Sequence, residues 1–207
     1  TQGGAVHVLR PHGISGKTFV DDRPPSFMQQ SHLDLRTAME ARDMHDASWL
    51  CISFTITGPL DRADARARMD GYRLAHERAG REVDEQLIVK GDFGRLSGTN
   101  AGAELIGRDV DGIFASNDEM AVGAMWTLAR RGIRVPDDVL VVGFDGTALD
   151  EFIEPALTSV VQPFDLLGRA AVDLLMSLVE GRPDVASVSI VPELVKGGSS
   201  DRGLATA

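Results

Sequence analysis

The chain has little cysteine and few aromatic residues: one Cys, Cys51, one Tyr and two Trp among 207 residues. A lone thiol closes no internal disulfide and builds no thiolate metal site, so a reducing compartment fits. No apolar run approaches the roughly 20 residues that a membrane-spanning helix needs. Thr1 to Arg10 also lack the charged-then-apolar layout of a secretory signal. No membrane partner is therefore expected, and the location expected is cytoplasmic. Basic charge is scarce too, with 21 Lys and Arg against 31 Asp and Glu and a net charge of −10. That excess disfavours this segment itself as a nucleic-acid binder, because phosphate contacts come mainly from cations.

Catalytic signatures are missing as well. No serine stands in a G-x-S-x-G elbow, and Cys51 has no obvious base. The histidines (His7, His12, His32, His45 and His76) show no metal-ligand spacing. Pro11 to Thr18 imitates a phosphate-binding loop, but Pro11 replaces the required glycine, and the segment runs into Pro24 and Pro25 instead of a helix. It reads as a surface turn. No catalytic residue, metal or cofactor is expected.

What is present is ordinary globular composition, 43% apolar and 25% charged, enough for a self-sufficient core. From Cys51 onward, strand-like and helix-like segments alternate. Strands are expected at Ile52–Ile56, Leu87–Val89, Asp111–Ala115, Val139–Phe144 and Thr158–Val161. A last strand pair is expected at Ser187–Val191 and Glu193–Val195, before a loose Gly/Ser tail. Helices are expected over Asp61–Ala79, Thr99–Ile106, the segment capped by Asn117 and stopped at Gly132, and Phe164–Glu180. The continuous β-branched run at Val139 suits a parallel strand buried on both faces. The alternation predicts an α/β fold with a doubly wound parallel sheet. Before Cys51 the pattern is thin: a possible strand at Val6–Leu9 and one weak helix near Leu33–Arg42.

In open α/β sheets, ligands bind beyond the carboxyl ends of the strands. Phe93, Asn117 and Asp145 follow three of the expected strands, and Arg68 lies on the helix after a fourth. A carboxylate, an amide and a guanidinium hydrogen-bond vicinal hydroxyls, and an aromatic face stacks on the C–H side of a sugar. These residues suit a small polyhydroxyl ligand. The same residues also suit plain helix caps and ion pairs.

The wording around these positions is specific. It includes Gly58-Pro59-Leu60, Arg68-Met-Asp-Gly71-Tyr72, Gly91-Asp92-Phe93 and Ile113-Phe-Ala-Ser-Asn117-Asp118-Glu-Met-Ala121. It continues through Gly132-Ile-Arg-Val-Pro136, Val141-Val-Gly-Phe-Asp145-Gly, Thr158-Ser-Val-Val-Gln162-Pro-Phe164 and Pro192-Glu-Leu-Val195. From about Ile52 to Ser200 the chain resembles the LacI/GalR family of bacterial transcription regulators. The resemblance implies a periplasmic-binding-protein-like (type I) lobe with a second lobe incomplete in this chain, and a small-molecule effector such as a sugar. It implies a homodimer, operator contact only through a headpiece that this sequence does not contain, and no DNA-binding residue here. Arg68, Asn117 and Asp145 match positions that hydrogen-bond the effector in the family. Phe93 matches the stacking aromatic, and Gln162 and Phe164 sit where the chain recrosses between lobes. A periplasmic-type solute-binding protein of the same fold is the alternative.

By the same resemblance, residues 1–50 are a remnant or altered end of the N-terminal lobe, through divergence or a changed reading frame, and are expected to be poorly packed. Residues 51–157 form the C-terminal effector-binding lobe. Residues 158–181 are a crossover strand and helix returning to the N-terminal lobe, with apolar residues left uncovered. Residues 182–207 are a final strand and tail. With no Met at position 1, the chain is expected to begin inside a longer protein.

Overall fold

The computed structural model describes residues 7–9, 53–147, 152–182 and 187–202. Along the chain come β1 (His7–Leu9), β2 (Ser53–Thr57), α1 (Ala63–Arg78), β3 (Ile88–Lys90), α2 (Arg95–Glu104), β4 (Gly112–Ala115), α3 (Asp118–Arg130) and β5 (Leu140–Asp145). They are followed by β6 (Thr158–Val161), α4 (Phe164–Val179), β7 (Ser187–Ser189) and β8 (Glu193–Val195). The weak helix expected near Leu33–Arg42, Cys51 and the packing expected of residues 1–50 lie outside the described residues. None of the described helices is long and apolar enough to cross a membrane.

Six strands form one sheet in the order β3-β2-β4-β5-β6-β8. The first five run parallel, and β8 closes the edge antiparallel to β6. Alternation of side chains across the pleat feeds two cores. On one face Phe54, Ile56, Ile113, Ala115 and Val141 pack against Ala101 and Leu105 of α2 and against Met120, Ala124 and Leu128 of α3. On the other, Phe114, Phe144 and Val160 meet Met69 and Tyr72 of α1. Each fully buried large apolar side chain contributes about 1.5–3 kcal/mol, which is why β4 and most of β5 carry few polar side chains.

Four expectations need correction. First, α2 begins at Arg95, not Thr99. Gly98 falls outside the expected helix, yet with Gly102 it lines the contact between α2 and α3. A Cβ on Gly98 would lie 2.1 Å from the Met120 carbonyl oxygen, and one on Gly123 would lie 2.2 Å from that of Arg95. These glycines are there for close helix approach. Second, the last two strands do not pair with each other: β7 pairs with β1, and β8 with β6. Third, Thr158–Val161 stays in this sheet as β6, beside β5, with Thr158, Ser159 and Val160 buried. Residues 158–161 thus share the sheet of the segment expected to end at residue 157.

Fourth, the Gly/Ser segment is docked as far as residue 202. The Ser199 hydroxyl donates to the Val141 carbonyl (2.6 Å) and accepts from the Thr158 amide (2.8 Å), with no exposed surface. Gly197 lies where a Cβ would meet the Ala156 carbonyl oxygen at 2.3 Å.

Helix α4 has no buried residue, and Phe164, Leu166, Val172, Leu175, Leu178 and Val179 are each at least half exposed. The apolar face expected to lie uncovered is uncovered among the described residues.

Two glycines make a matched test. Gly123→Ala is expected to destabilise the chain by about 1–3 kcal/mol, because backbone blocks the new methyl. Gly168→Ala, on α4 with nothing within 4 Å of its Cβ position, is expected to stabilise by roughly 0.5–1 kcal/mol. Urea unfolding midpoints at constant slope measure both.

Candidate functional site

The parallel strands point their carboxyl ends to one edge of the sheet, and the candidate residues collect there. Asp145 ends β5, and its Oδ1 accepts from the Arg68 Nη2 of α1 (3.1 Å) and from the Gln162 Nε2 just beyond β6 (2.7 Å). The Gln162 amide also donates to the Asp145 carbonyl (3.0 Å), so backbone and side chain clasp the same residue. Arg68 Nη1 donates to the Ser116 carbonyl at 2.5 Å, at the end of β4. Its guanidinium lies 4.0 Å from the Phe144 ring centroid and 5.6 Å from that of Phe93. The charge run around Asp61–Asp70 is thus two things. Arg62 and Asp64 pair on the surface, whereas Arg68 is 9% exposed and reaches the sheet.

Asn117 caps α3, its Oδ1 accepting from the Met120 amide (3.1 Å), and its Nδ2 donates to the Phe93 carbonyl (2.8 Å). The cap and the site are one residue. The Phe93 ring packs on Gly58, where a Cβ would lie 2.2 Å from the ring, and Arg62 stands 5.2 Å from the ring centroid. Arg68, Phe93, Asn117, Asp145 and Gln162 are therefore brought together. Phe164 stands apart: its amide donates to the Gln162 carbonyl (2.8 Å), but its side chain is mostly exposed.

Among the described residues, Phe93 (φ 68°) and Asp145 (φ 117°) are the two non-glycines with positive φ. Such backbone costs on the order of 1–3 kcal/mol and persists where the surroundings over-determine it. Burial holds the Arg68 guanidinium below its ordinary value, against the pull of Asp145 and Asp64. Burial also pushes the Asp145 carboxyl up, against Arg68 and Gln162, with Asp118 adding to the rise. Both partners of the pair are shifted toward neutrality, so desolvation outweighs their mutual attraction. Next to them, the buried hydroxyls of Thr57 and Ser116, at the ends of β2 and β4, have no hydrogen-bond partner among the described residues.

Asp118 enters the sequence reading beside Asn117 at the end of a strand, without the contacts that the structure gives it. Asp118 has no exposed surface. Its Oδ2 accepts from the Gly146 and Thr147 amides (2.7 and 2.8 Å), and its Oδ1 from the Ser159 hydroxyl (2.6 Å). The available signal is a second carboxylate directly after the capping Asn117, at the end of a buried strand. No group of three or more metal-ligating side chains occurs among the described residues.

A raised folded-state value means that Asp145 favours the folded chain fully below its unfolded pKa, and that this advantage is lost as pH rises through the folded one. Titration of the Asp145 carboxyl carbon by NMR is expected to give a midpoint above the ordinary value of about 3.9. Arg68→Met is expected to move it further up. A midpoint at or below the ordinary value would contradict the buried geometry.

Residues 49–200 match the periplasmic binding protein-like domain family. Over 129 residues the chain is 45% identical to the HTH-type transcriptional regulator CelR of Thermobifida fusca, covering 61% of this chain and 38% of that protein. Over 149 residues it is 37% identical to the ribose operon repressor of Escherichia coli K12, covering 70% and 45%. A solved complex of the regulator CelR with cellobiose superposes with a TM-score of 0.71 at 35% identity, over 83% of this chain and 51% of that one. The lac repressor dimer bound to operator and the anti-inducer ONPF gives a TM-score of 0.71 at 27% identity, over 84% and 51%. The chain spans less than half the length of the two sequence relatives it matches. It belongs to the periplasmic-binding-protein-like domain family, in the branch of the LacI/GalR-type regulators.

Proposed function

We propose that this chain is the effector-binding core of a LacI/GalR-type transcription regulator, and that its effector is a neutral sugar or related polyhydroxyl molecule. The observation that carries this is the shared carboxylate of Asp145. Arg68 and Gln162 both donate to Oδ1, leaving Oδ2 as the acceptor that the described residues do not use. A hydroxyl pair arriving at the strand ends donates to Oδ2 and accepts from the remaining N–H groups of Arg68, while the Phe93 ring offers its face to the C–H side of the ligand. Asn117, already spent on its cap through Oδ1, supplies its second Nδ2 hydrogen.

In the whole protein, effector binding shifts the arrangement of two lobes and thereby operator contact. That protein is a cytoplasmic homodimer, reaching DNA through a separate headpiece. It is a binder and not an enzyme, a reading supported by relatives that are transcription regulators. Those relatives also support a regulator over a solute-binding protein of the same fold.

Isothermal titration and thermal shift of the purified chain with cellobiose, ribose and other neutral saccharides test this. At least one is expected to bind saturably, raising stability by about 2.7 kcal/mol at a hundredfold excess over Kd. Asp145→Ala is expected to weaken that binding by about 1–3 kcal/mol, since it leaves buried hydroxyls without their acceptor. No stabilisation by any saccharide at millimolar concentration would overturn the reading.

A further inference from the structure

Resting on the effector-binding reading above, we propose that Asp118 is the positioning residue of the site: its buried carboxylate locks the turn that aims Asp145. The turn needs such a lock. Asp145 (φ 117°) and Gly146 (φ 74°) are consecutive positive-φ residues, so the chain leaves β5 in a conformation that glycine accepts and Asp145 disfavours. Their successors' amides point inward, and a single oxygen, Asp118 Oδ2, receives both Gly146 and Thr147. Oδ1 is held by Ser159 on β6, whose hydroxyl oxygen also accepts from the Gly146 amide (3.2 Å).

One carboxylate therefore ties the start of α3 to the end of β5 and to β6, the three places from which Asn117, Asp145 and Gln162 project. Gly143 makes room for it, since a Cβ there would lie 2.3 Å from Asp118 Oδ1. Gly146 is fixed in the same way, a Cβ meeting Val161 at 2.5 Å. The negative charge sits in the first turn of α3, where the helix dipole favours an anion.

Asp118→Asn keeps the shape but turns an acceptor into a group with only one accepting atom for three donors. In the full chain, amide NMR of the wild type is expected to show the Gly146 and Thr147 protons strongly downfield and slow to exchange. In Asp118→Asn they are expected to move upfield and exchange at least tenfold faster. Binding of whichever neutral saccharide the wild type takes is expected to fall at least tenfold, at a temperature where the variant is folded by circular dichroism.

Thr127→Val is the control. It removes a buried hydroxyl bonded to the Thr99 carbonyl between α2 and α3. It is expected to lower stability while leaving the Gly146 and Thr147 amides and binding unchanged. Unshifted amides in Asp118→Asn, or a binding loss matched by Thr127→Val at equal stability, would overturn the inference. If the wild type takes no saccharide, the reading of function fails, and the amide shifts alone decide the role of Asp118.

Discussion

A guanidinium taken out of water has to be answered by oxygen, and Arg68 finds its oxygens at the ends of two different strands. The Ser116 carbonyl and the Asp145 carboxylate lie at the same edge of the sheet because β4 and β5 run parallel. The helix α1 that carries Arg68 is in turn seated on the sheet by Met69 and Tyr72. Given that seating, the position of the charge follows, and with it the place of Asp145, Gln162 and the two aromatic rings that face the guanidinium. Removing either ionic partner strands the other in a poorly solvated position, which is costlier than never having built the pair. The pair thus adds little net stability while making the arrangement hard to rearrange.

The strain in the site and its burial have the same origin. Asp145 and Phe93 both hold backbone conformations suited to glycine, and each is caught from outside: Asp145 by Gln162, Phe93 by the Asn117 side chain. Neither catch belongs to the residue's own element. The geometry at the edge is consequently a property of the assembled sheet, and a loop excised from it would not keep that shape.

Periodicity and capping carry most of the fold to a reader of the sequence, and end-of-strand position carries most of the site. Asn117 is legible because an amide before an apolar helical stripe is a strong cap. β5 is legible because its residues are apolar on both faces. Arg68, in contrast, sits in a run of alternating charge whose burial depends on how α1 is rotated against the sheet, which the family resemblance supplied and the charge pattern did not. Gly98 misleads for a definite reason: lack of a side chain signals a flexible link locally and a close contact globally, and the two cannot be told apart without the partner helix. The antiparallel place of β8, the docking of Ser199 and the role of Asp118 depend on contacts between residues about 28 to 58 positions apart, such as the Ser199–Val141 bond. Nothing in the local pattern announces them.

The strand at the edge of the sheet is also the last of its six along the chain. A chain synthesised from its N-terminus has β6 in place with one side unpaired until Glu193–Val195 emerges. Through that interval the apolar side chains of α4, which lies between β6 and β8 in the chain, are already outside the ribosome. An open strand edge and an oily helix then coexist on an unfinished protein, the two surfaces that nascent chains most need shielded from their neighbours. The Ser199 hydroxyl that bonds the Val141 carbonyl and the Thr158 amide follows later still in the chain. A chain that has reached α4 but not β8 therefore shows both surfaces at once, whereas with β8 paired the apolar face of α4 is the one left.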